Sequence, residues 1–302
     1  MRVFLTGATG YIGHAVAKEL TAAGHEVTGL VRSPEKAKAL EEIGARAVVG
    51  DIKDPRSYRE AAAGSEALVH TAFEYSEKGV EADKTVVTTL LEVARANEGV
   101  RQIVYTSGIW VLGQTDGEGP VFEDAPTDHP AALVAWRVGH EKKILEAADD
   151  RLATAVIRPG MVYGHHGGLI ASYFESAEKE GAARYIGHGF NRVPFIHVDD
   201  LARFYRAVIE HHRRGVFHAV DGAAVQLSDA ARAASEAAGK GGATRSVPLE
   251  EARAKMGPIA DCLVLDQFID SSRNLEITWT PEVPSFLAGA ERAYEELKKA
   301  RG

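Results

Sequence analysis

The chain is short of cysteine, of positive charge and of long apolar runs, and each shortage excludes something. Cys262 is the only cysteine among 302 residues, so no intrachain disulfide can form, and a reducing, cytoplasmic setting is the expectation. The 35 Lys and Arg face 43 Asp and Glu, a formal net charge of −8, which offers no basic surface to nucleic acid or to an anionic membrane. No apolar run approaches the roughly 20 residues that span a bilayer. Internal repeats and low-complexity linkers are missing too. A glycine motif already stands at residue 6, so no secretory leader is expected ahead of the fold. The remaining composition, 45% hydrophobic and 26% charged, suits one large α/β domain or a nucleotide domain with a smaller lobe.

What is present begins with a phosphate site. Residues 2–5 read as a short buried strand, Thr6-Gly7-Ala8-Thr9-Gly10-Tyr11-Ile12-Gly13 follows at once, and residues 14–23 form an amphipathic run. The three glycines have separate uses. Gly7 permits the tight turn, Gly10 lets the backbone approach a phosphate, and Gly13 lets helix and strand pack closely. The helix start then offers free N–H groups and a partial positive charge to a pyrophosphate.

Short β-rich runs then alternate with helical periods. Strands are expected at 25–31, 45–50, 67–71, 102–106 and 153–158, and helices at 34–43, 57–63, 84–97 and 133–148. Such alternation builds a doubly wound parallel sheet with right-handed crossovers. After Pro159-Gly160 the pattern loosens. Strand-like runs at 193–198 and 215–220 interleave with helical stretches at 169–180, 200–210, 228–238, 249–255 and 284–299.

Several motifs carry a family resemblance over nearly the whole length: TGATGYIG (6–13), Gly50-Asp51, Val69-His70-Thr71-Ala72, Val104-Tyr105-Thr106-Ser107, Arg158-Pro159-Gly160-x-Val162-Tyr163-Gly164 and Phe195-Ile196-His197-Val198-Asp199-Asp200. The chain resembles the extended, epimerase/dehydratase-like branch of the short-chain dehydrogenase/reductase superfamily. The resemblance implies an α/β Rossmann fold, a doubly wound parallel sheet with a small C-terminal substrate lobe. Residues 1–160 would be the NAD(P)-binding core, and 161–302 would add late core elements and the lobe. It also implies a small-molecule substrate, a nicotinamide cofactor and a homodimer through the helices near 84–97 and 133–148. Thr6, Gly7, Thr9, Gly10, Tyr11, Ile12 and Gly13 would hold the pyrophosphate, and Asp51 and Ile52 would flank the adenine. Thr71, Ala72, Phe73, Thr106, Pro159, Gly160 and Val162 would line the path of the nicotinamide half.

The acidic residue that would take a ribose 2′-OH after the second strand is absent. Arg32 stands there, with Ser33 and Lys36 nearby. A guanidinium suits a 2′-phosphate, so NADP is the expected cofactor, with NAD the alternative. The plain alternative for Arg32 is a solvated surface arginine, and for Asp51 a turn cap.

The family's Tyr-x-x-x-Lys pair is missing. No tyrosine lies between Tyr105 and Tyr163, and Trp136 and His140 occupy the two places. An indole cannot exchange a proton near neutral pH, so the usual acid–base chemistry cannot run through position 136. Trp136, His140 and Lys143 share one helix face. His140 is a candidate for the ribose or for the proton, with a partly exposed polar residue as the alternative. Ser107 and Tyr163 are the other candidates near the reacting atoms, Tyr163 with packing or substrate orientation as its plainer role. His165-His166 reads as a loop more than a metal site, and no metal centre is expected. Asp199 and Asp200 are expected to cap a helix beginning at Leu201, with His197 structural. The acidic loop 114–128 (Asp116, Glu118, Glu123, Asp124, Asp128) is either a lid or a solvated insertion. Three readings remain open: an atypical reductase of a carbonyl, imine or enone, a non-catalytic NADP(H) sensor, and an epimerase/dehydratase with an internally recycled cofactor.

Overall fold

The computed structural model describes residues 1–74, 78–115 and 117–302. The first half alternates strictly: β1 (Arg2–Thr6), α1 (Tyr11–Ala22), β2 (Glu26–Val31), α2 (Pro34–Glu41), β3 (Arg46–Val49), α3 (Arg59–Ala63), β4 (Ala67–His70), α4 (Gly79–Ala96), β5 (Gln102–Thr106), α5 (Ala135–Leu145) and β6 (Ala153–Pro159). The second half runs β7 (Met161–Tyr163), α6 (Ala171–Glu180), β8 (Ala183–Ile186), β9 (Arg192–Val193), β10 (Phe195–His197), α7 (Val198–Glu210), β11 (Gly215–Ala219), β12 (Val225–Gln226), α8 (Leu227–Ala237), β13 (Thr244–Val247), α9 (Leu249–Met256), α10 (Ile259–Cys262) and α11 (Phe286–Arg301).

Seven strands form one parallel sheet in the order β11-β6-β5-β4-β1-β2-β3. The strand order reverses between β1 and β4, and a crevice opens there beyond the carboxyl ends of the strands. Both faces are covered, which is why the strands are near-continuous apolar runs. On one face α1 and α7 bury Val16, Ala17, Leu20, Leu201, Phe204, Tyr205 and Val208 in a core shared with β1 and β6. The opposite face is covered by α4 and α5, through Val86, Val87, Leu90, Val93 and Ile144. The seventh strand, β11, comes from beyond residue 160, so the late region returns to the sheet. A second core, built on Tyr163, Phe174, Phe195, Ala231 and Phe286, belongs to the lobe. Among the described residues no helix is long and apolar enough to cross a membrane.

Three expectations shift. Helix α4 begins at Gly79, five residues earlier than its apolar period suggests, because its first turns carry Glu81, Asp83 and Lys84. Helix α7 begins at Val198, not Leu201, and its cap is His197, whose ring accepts from the Asp199 N–H at 3.2 Å. Asp199 and Asp200 lie in the first turn. The loop at 114–128 is neither free lid nor free insertion. Thr115 N–H donates to Asp266 O (2.9 Å), Val121 N–H to Phe268 O (2.9 Å), and Asp270 N–H to Val121 O (3.1 Å). Asp116 lies outside the described residues.

Candidate functional site

The chain must turn as soon as β1 ends. Gly7 turns it at φ +73°, and a Cβ there would fall 2.6 Å from the backbone nitrogen of Ala72. A Cβ on Gly13 would fall 2.1 Å from Gly7 O, so loop and first helical turn are in contact. Gly10 N–H closes the turn on Gly7 O at 2.8 Å, and Gly10 caps α1 with no side chain over the helix end. Thr9, Tyr11 and Ile12 are half-buried along this turn. Uncapped N–H groups at the positive end of a helix make an anion cradle, and glycines keep it clear of side chains. A nicotinamide dinucleotide fits these residues. The Thr6 hydroxyl does not face the cradle, because it is buried on His70 Nδ1 at 2.6 Å. The Tyr11 side chain turns away as well and donates to Gly164 O at 2.8 Å.

Past β2, Arg32 and Lys36 are exposed and make no ion pair among the described residues, while Ser33 is the N-cap residue of α2. Asp51 caps a turn, its Oδ1 accepting from the Lys53 N–H at 2.8 Å, and Ile52 beside it is half-buried. Thr71 ties the ends of β1 and β4 by donating to Thr6 O at 2.8 Å. Thr106 Oγ1 and the Tyr205 hydroxyl are hydrogen-bonded. Ser107 follows, its N–H on Ile157 O at 2.8 Å and its Oγ shut from solvent without a partner among the described residues. Pro159 ends β6. Gly160 lets the chain pass Pro194, whose carbonyl oxygen would lie 2.6 Å from a Cβ at that position, and Val162 is half-buried.

Helix α5 presents Trp136, Arg137 and His140. Trp136 stacks on Phe73 with ring centroids 5.6 Å apart, and its indole N–H is spent on Leu133 O at 3.1 Å. His140 is buried edge-on against Trp136 (5.2 Å) and donates or accepts through Nδ1 at Asp83 Oδ1, 2.7 Å away. Asp83 is the hub. It is 2% exposed, and its carboxylate also takes the Tyr105 hydroxyl (3.0 Å) and His70 Nε2 (3.1 Å). Burial pushes the Asp83 carboxyl up, but His70, His140 and Arg137 outweigh it and hold it well below the usual range. An anionic Asp83 can only accept, so His140 Nδ1 carries the hydrogen, and Nε2 has no hydrogen-bond partner among the described residues. Thr6, His70, Asp83 and His140 form one hydrogen-bonded line from the glycine motif to α5.

Sequence reasoning passed over Asp83, His70, Tyr105 and Arg137. Asp83 was detectable, since it stands three and four residues before Val86 and Val87 and therefore on the apolar stripe of α4. Tyr163 lies outside the crevice. It is fully buried in the lobe between Phe195, His197 and Phe286, its hydroxyl near Ser285 O at 3.5 Å, and burial pushes that hydroxyl's pKa well up.

A separate cluster joins the lobe to the sheet. His165, at φ +49°, reaches Asp199 Oδ1 (2.8 Å) through Nε2 and gives its N–H to Glu296 (2.9 Å). His197 Nε2 also meets Glu296 (3.0 Å). His165, Asp199 and Glu296 have the spacing of metal ligands. Arg292 already binds both carboxylates, Asp199 at 2.9 Å and Glu296 at 2.7 Å, so one of their two negative charges is met within the cluster by a guanidinium.

A model of the NAD dependent epimerase/dehydratase family matches residues 3–220. An uncharacterized protein of Schizosaccharomyces pombe is 30% identical over 228 residues, 73% of this chain and 75% of its own length. The 2-alkyl-3-oxoalkanoate reductase of Stenotrophomonas maltophilia is 28% identical over 213 residues, 67% of this chain and 63% of its own length. The human epimerase family protein SDR39U1, solved with NADPH, superposes with a TM-score of 0.81 at 23% identity over 98% of this chain and 99% of that one, a likeness of fold.

Proposed function

The chain belongs to the NAD dependent epimerase/dehydratase family, and from that premise we propose that it is an NADP(H)-dependent reductase of a small organic substrate with a C=O, C=N or conjugated C=C bond, working without a Tyr-x-x-x-Lys pair. The observation that carries this reading is His140, held at 2.7 Å by a buried carboxylate on the helix where the family keeps that pair. The Stenotrophomonas relative is named as a reductase of an oxoalkanoate, which supports the reaction class.

In this reading Gly7, Thr9, Gly10, Tyr11, Ile12 and Gly13 hold the pyrophosphate through backbone N–H groups. Arg32 and Lys36, both free of ion pairs among the described residues, take the 2′-phosphate. Ala72, Phe73, Thr106, Ser107, Pro159, Gly160 and Val162 shape the nicotinamide side, and Trp136 forms a wall against Phe73. A bound nicotinamide supplies the hydride. The chain's own residues then manage one proton. His140 would give the substrate oxygen its proton through Nε2, so that a carbonyl would leave as the alcohol. Asp83 orients the ring, as a carboxylate does for the histidine of a catalytic triad. Solvent returns the proton.

The test is a titration of both cofactors into the protein, with NADPH oxidation followed over carbonyl, imine and enone compounds. NADPH is expected to bind about tenfold or more tighter than NADH, and Arg32→Ala to cost NADPH more than NADH. Equal or tighter NADH binding overturns the cofactor assignment. Tight binding that differs between NADPH and NADP⁺ without turnover replaces the reductase by a redox sensor, the reading favoured by a tryptophan that cannot exchange a proton.

A further inference from the structure

Arg137 is the next residue to explain. Its guanidinium carbon lies 4.4 Å from the Trp136 ring centroid and 5.0 Å from that of Phe73. Nη1 donates to Thr106 O at 2.9 Å and to the Tyr105 hydroxyl at 3.2 Å. These contacts put the cation at the carboxyl ends of β4 and β5, next to the point where the strand order reverses. All of them engage Nη1 or the π faces. The Nε and Nη2 edge, the fork that matches a carboxylate, has no partner among the described residues. Asp83 does not neutralise it directly, since its two oxygens are taken by His70, His140 and Tyr105, and Tyr105 stands between it and Arg137.

A half-buried guanidinium with an open fork is costly unless an anion completes it. Surface lysines and arginines choose partners loosely, but here two aromatic rings and two acceptors fix the plane and leave one edge. Ser107 follows directly after Thr106, whose carbonyl Arg137 holds, and its hydroxyl is shut from solvent without a partner among the described residues.

We propose that Arg137 binds a carboxylate of the substrate, so that the substrate is a small organic acid carrying its reducible bond a few atoms from the carboxylate. This rests on the reductase reading above and narrows it. Arg137 is a specificity residue in this proposal, and the bidentate geometry favours a planar carboxylate over a point-like anion.

The experiment uses protein saturated with NADP⁺ and titrates acetate, succinate and benzoate against acetamide, succinamide and benzamide by calorimetry. At least one acid is expected to bind about tenfold or more tighter than its amide. Arg137→Gln is expected to erase that preference and Arg137→Lys, which keeps charge without the fork, to retain only part of it, while NADPH affinity changes by less than about threefold. Thermal melts of both variants establish that they fold. No acid preference in the wild-type protein overturns the proposal while leaving the reductase reading intact. Loss of NADPH affinity in Arg137→Gln that equals the loss of acid affinity also overturns it, because the arginine then serves the cofactor. Failure of the wild-type protein to bind NADPH is the result that would remove the reductase reading itself.

Discussion

At the scale of single residues, Asp83 is the point where β4, β5 and α5 meet through one carboxylate. A carboxylate that is 2% exposed survives only if its lone pairs are filled, and here three donors from three elements fill them. Its depressed pKa keeps it anionic above about pH 4, so no activity limb near neutrality arises from Asp83 itself. In the proposed mechanism the proton is carried by His140. His140→Asn is expected to lower kcat by about 10²- to 10⁴-fold with NADPH affinity nearly unchanged. Asp83→Asn removes the carboxylate that orients the His140 ring. In the proposed mechanism kcat is then expected to fall by about tenfold or more with NADPH affinity nearly unchanged, which stopped-flow rates measure directly. An unchanged kcat would separate Asp83 from the proton step. Folding also suffers, by about 1–3 kcal/mol, because an amide cannot accept from all three donors.

At the scale of elements, the sheet was legible and the lobe was not. The runs at 102–106 and 153–158 match β5 and β6 to within a residue, because a strand buried on both faces must be continuously apolar. The short pieces β7, β8, β9, β12 and β13 have two to four residues each. So few residues carry no period of their own. Their pairing comes from partners far along the chain, such as β8 with β13. The glycine cradle was readable because its geometry is local. The Asp83 line was not, because Thr6, His70, Asp83 and His140 meet only once β1, β4, α4 and α5 have packed. The 114–128 loop shows the same rule. Beside its own backbone pairing, the segment just before it is held by Gln267, 3% exposed, whose amide donates to Ile109 O (3.0 Å) and Gly113 O (2.8 Å). Gln267→Ala loses both bonds and strands two carbonyls, at a cost of about 1–3 kcal/mol. Cleavage of 114–128 by a protease at native conditions is expected to quicken by about tenfold or more, while cleavage elsewhere holds steady. Equal rates would mean that the backbone pairing of residues 115 and 121 holds the loop without Gln267.

At the scale of the whole molecule, β11 and the turn just after it carry two groups whose ionisation opposes folding. His218 lies within β11, fully buried. Burial, aided by Arg158 and opposed by Glu123, pushes its ring pKa down. A depressed histidine binds fewer protons folded than unfolded, so its share of stability is present above the unfolded value near 6.5 and drains as pH falls below it. Asp221 follows two residues after β11. Its Oδ1 takes the Ala223 N–H at 2.9 Å, but its Oδ2 is shut from solvent without a partner among the described residues. Burial, reinforced by Asp200 and opposed by backbone N–H groups, pushes its carboxyl up to about 8. A raised acid has the opposite sign. Its stabilising share is full below the unfolded value of 3.8, declines through the intervening range and is gone once pH passes about 8. Asp221→Asn keeps the shape and removes the charge. Urea unfolding at pH 5, 7 and 9 is therefore expected to show the variant close to wild type at pH 5 and more stable by about 1–3 kcal/mol at pH 9. The gain must grow with pH, since it measures a charge that wild type is forced to bury. A gain that is flat across the three values would instead report better packing, and would place the alkaline weakness of the fold somewhere other than the end of β11.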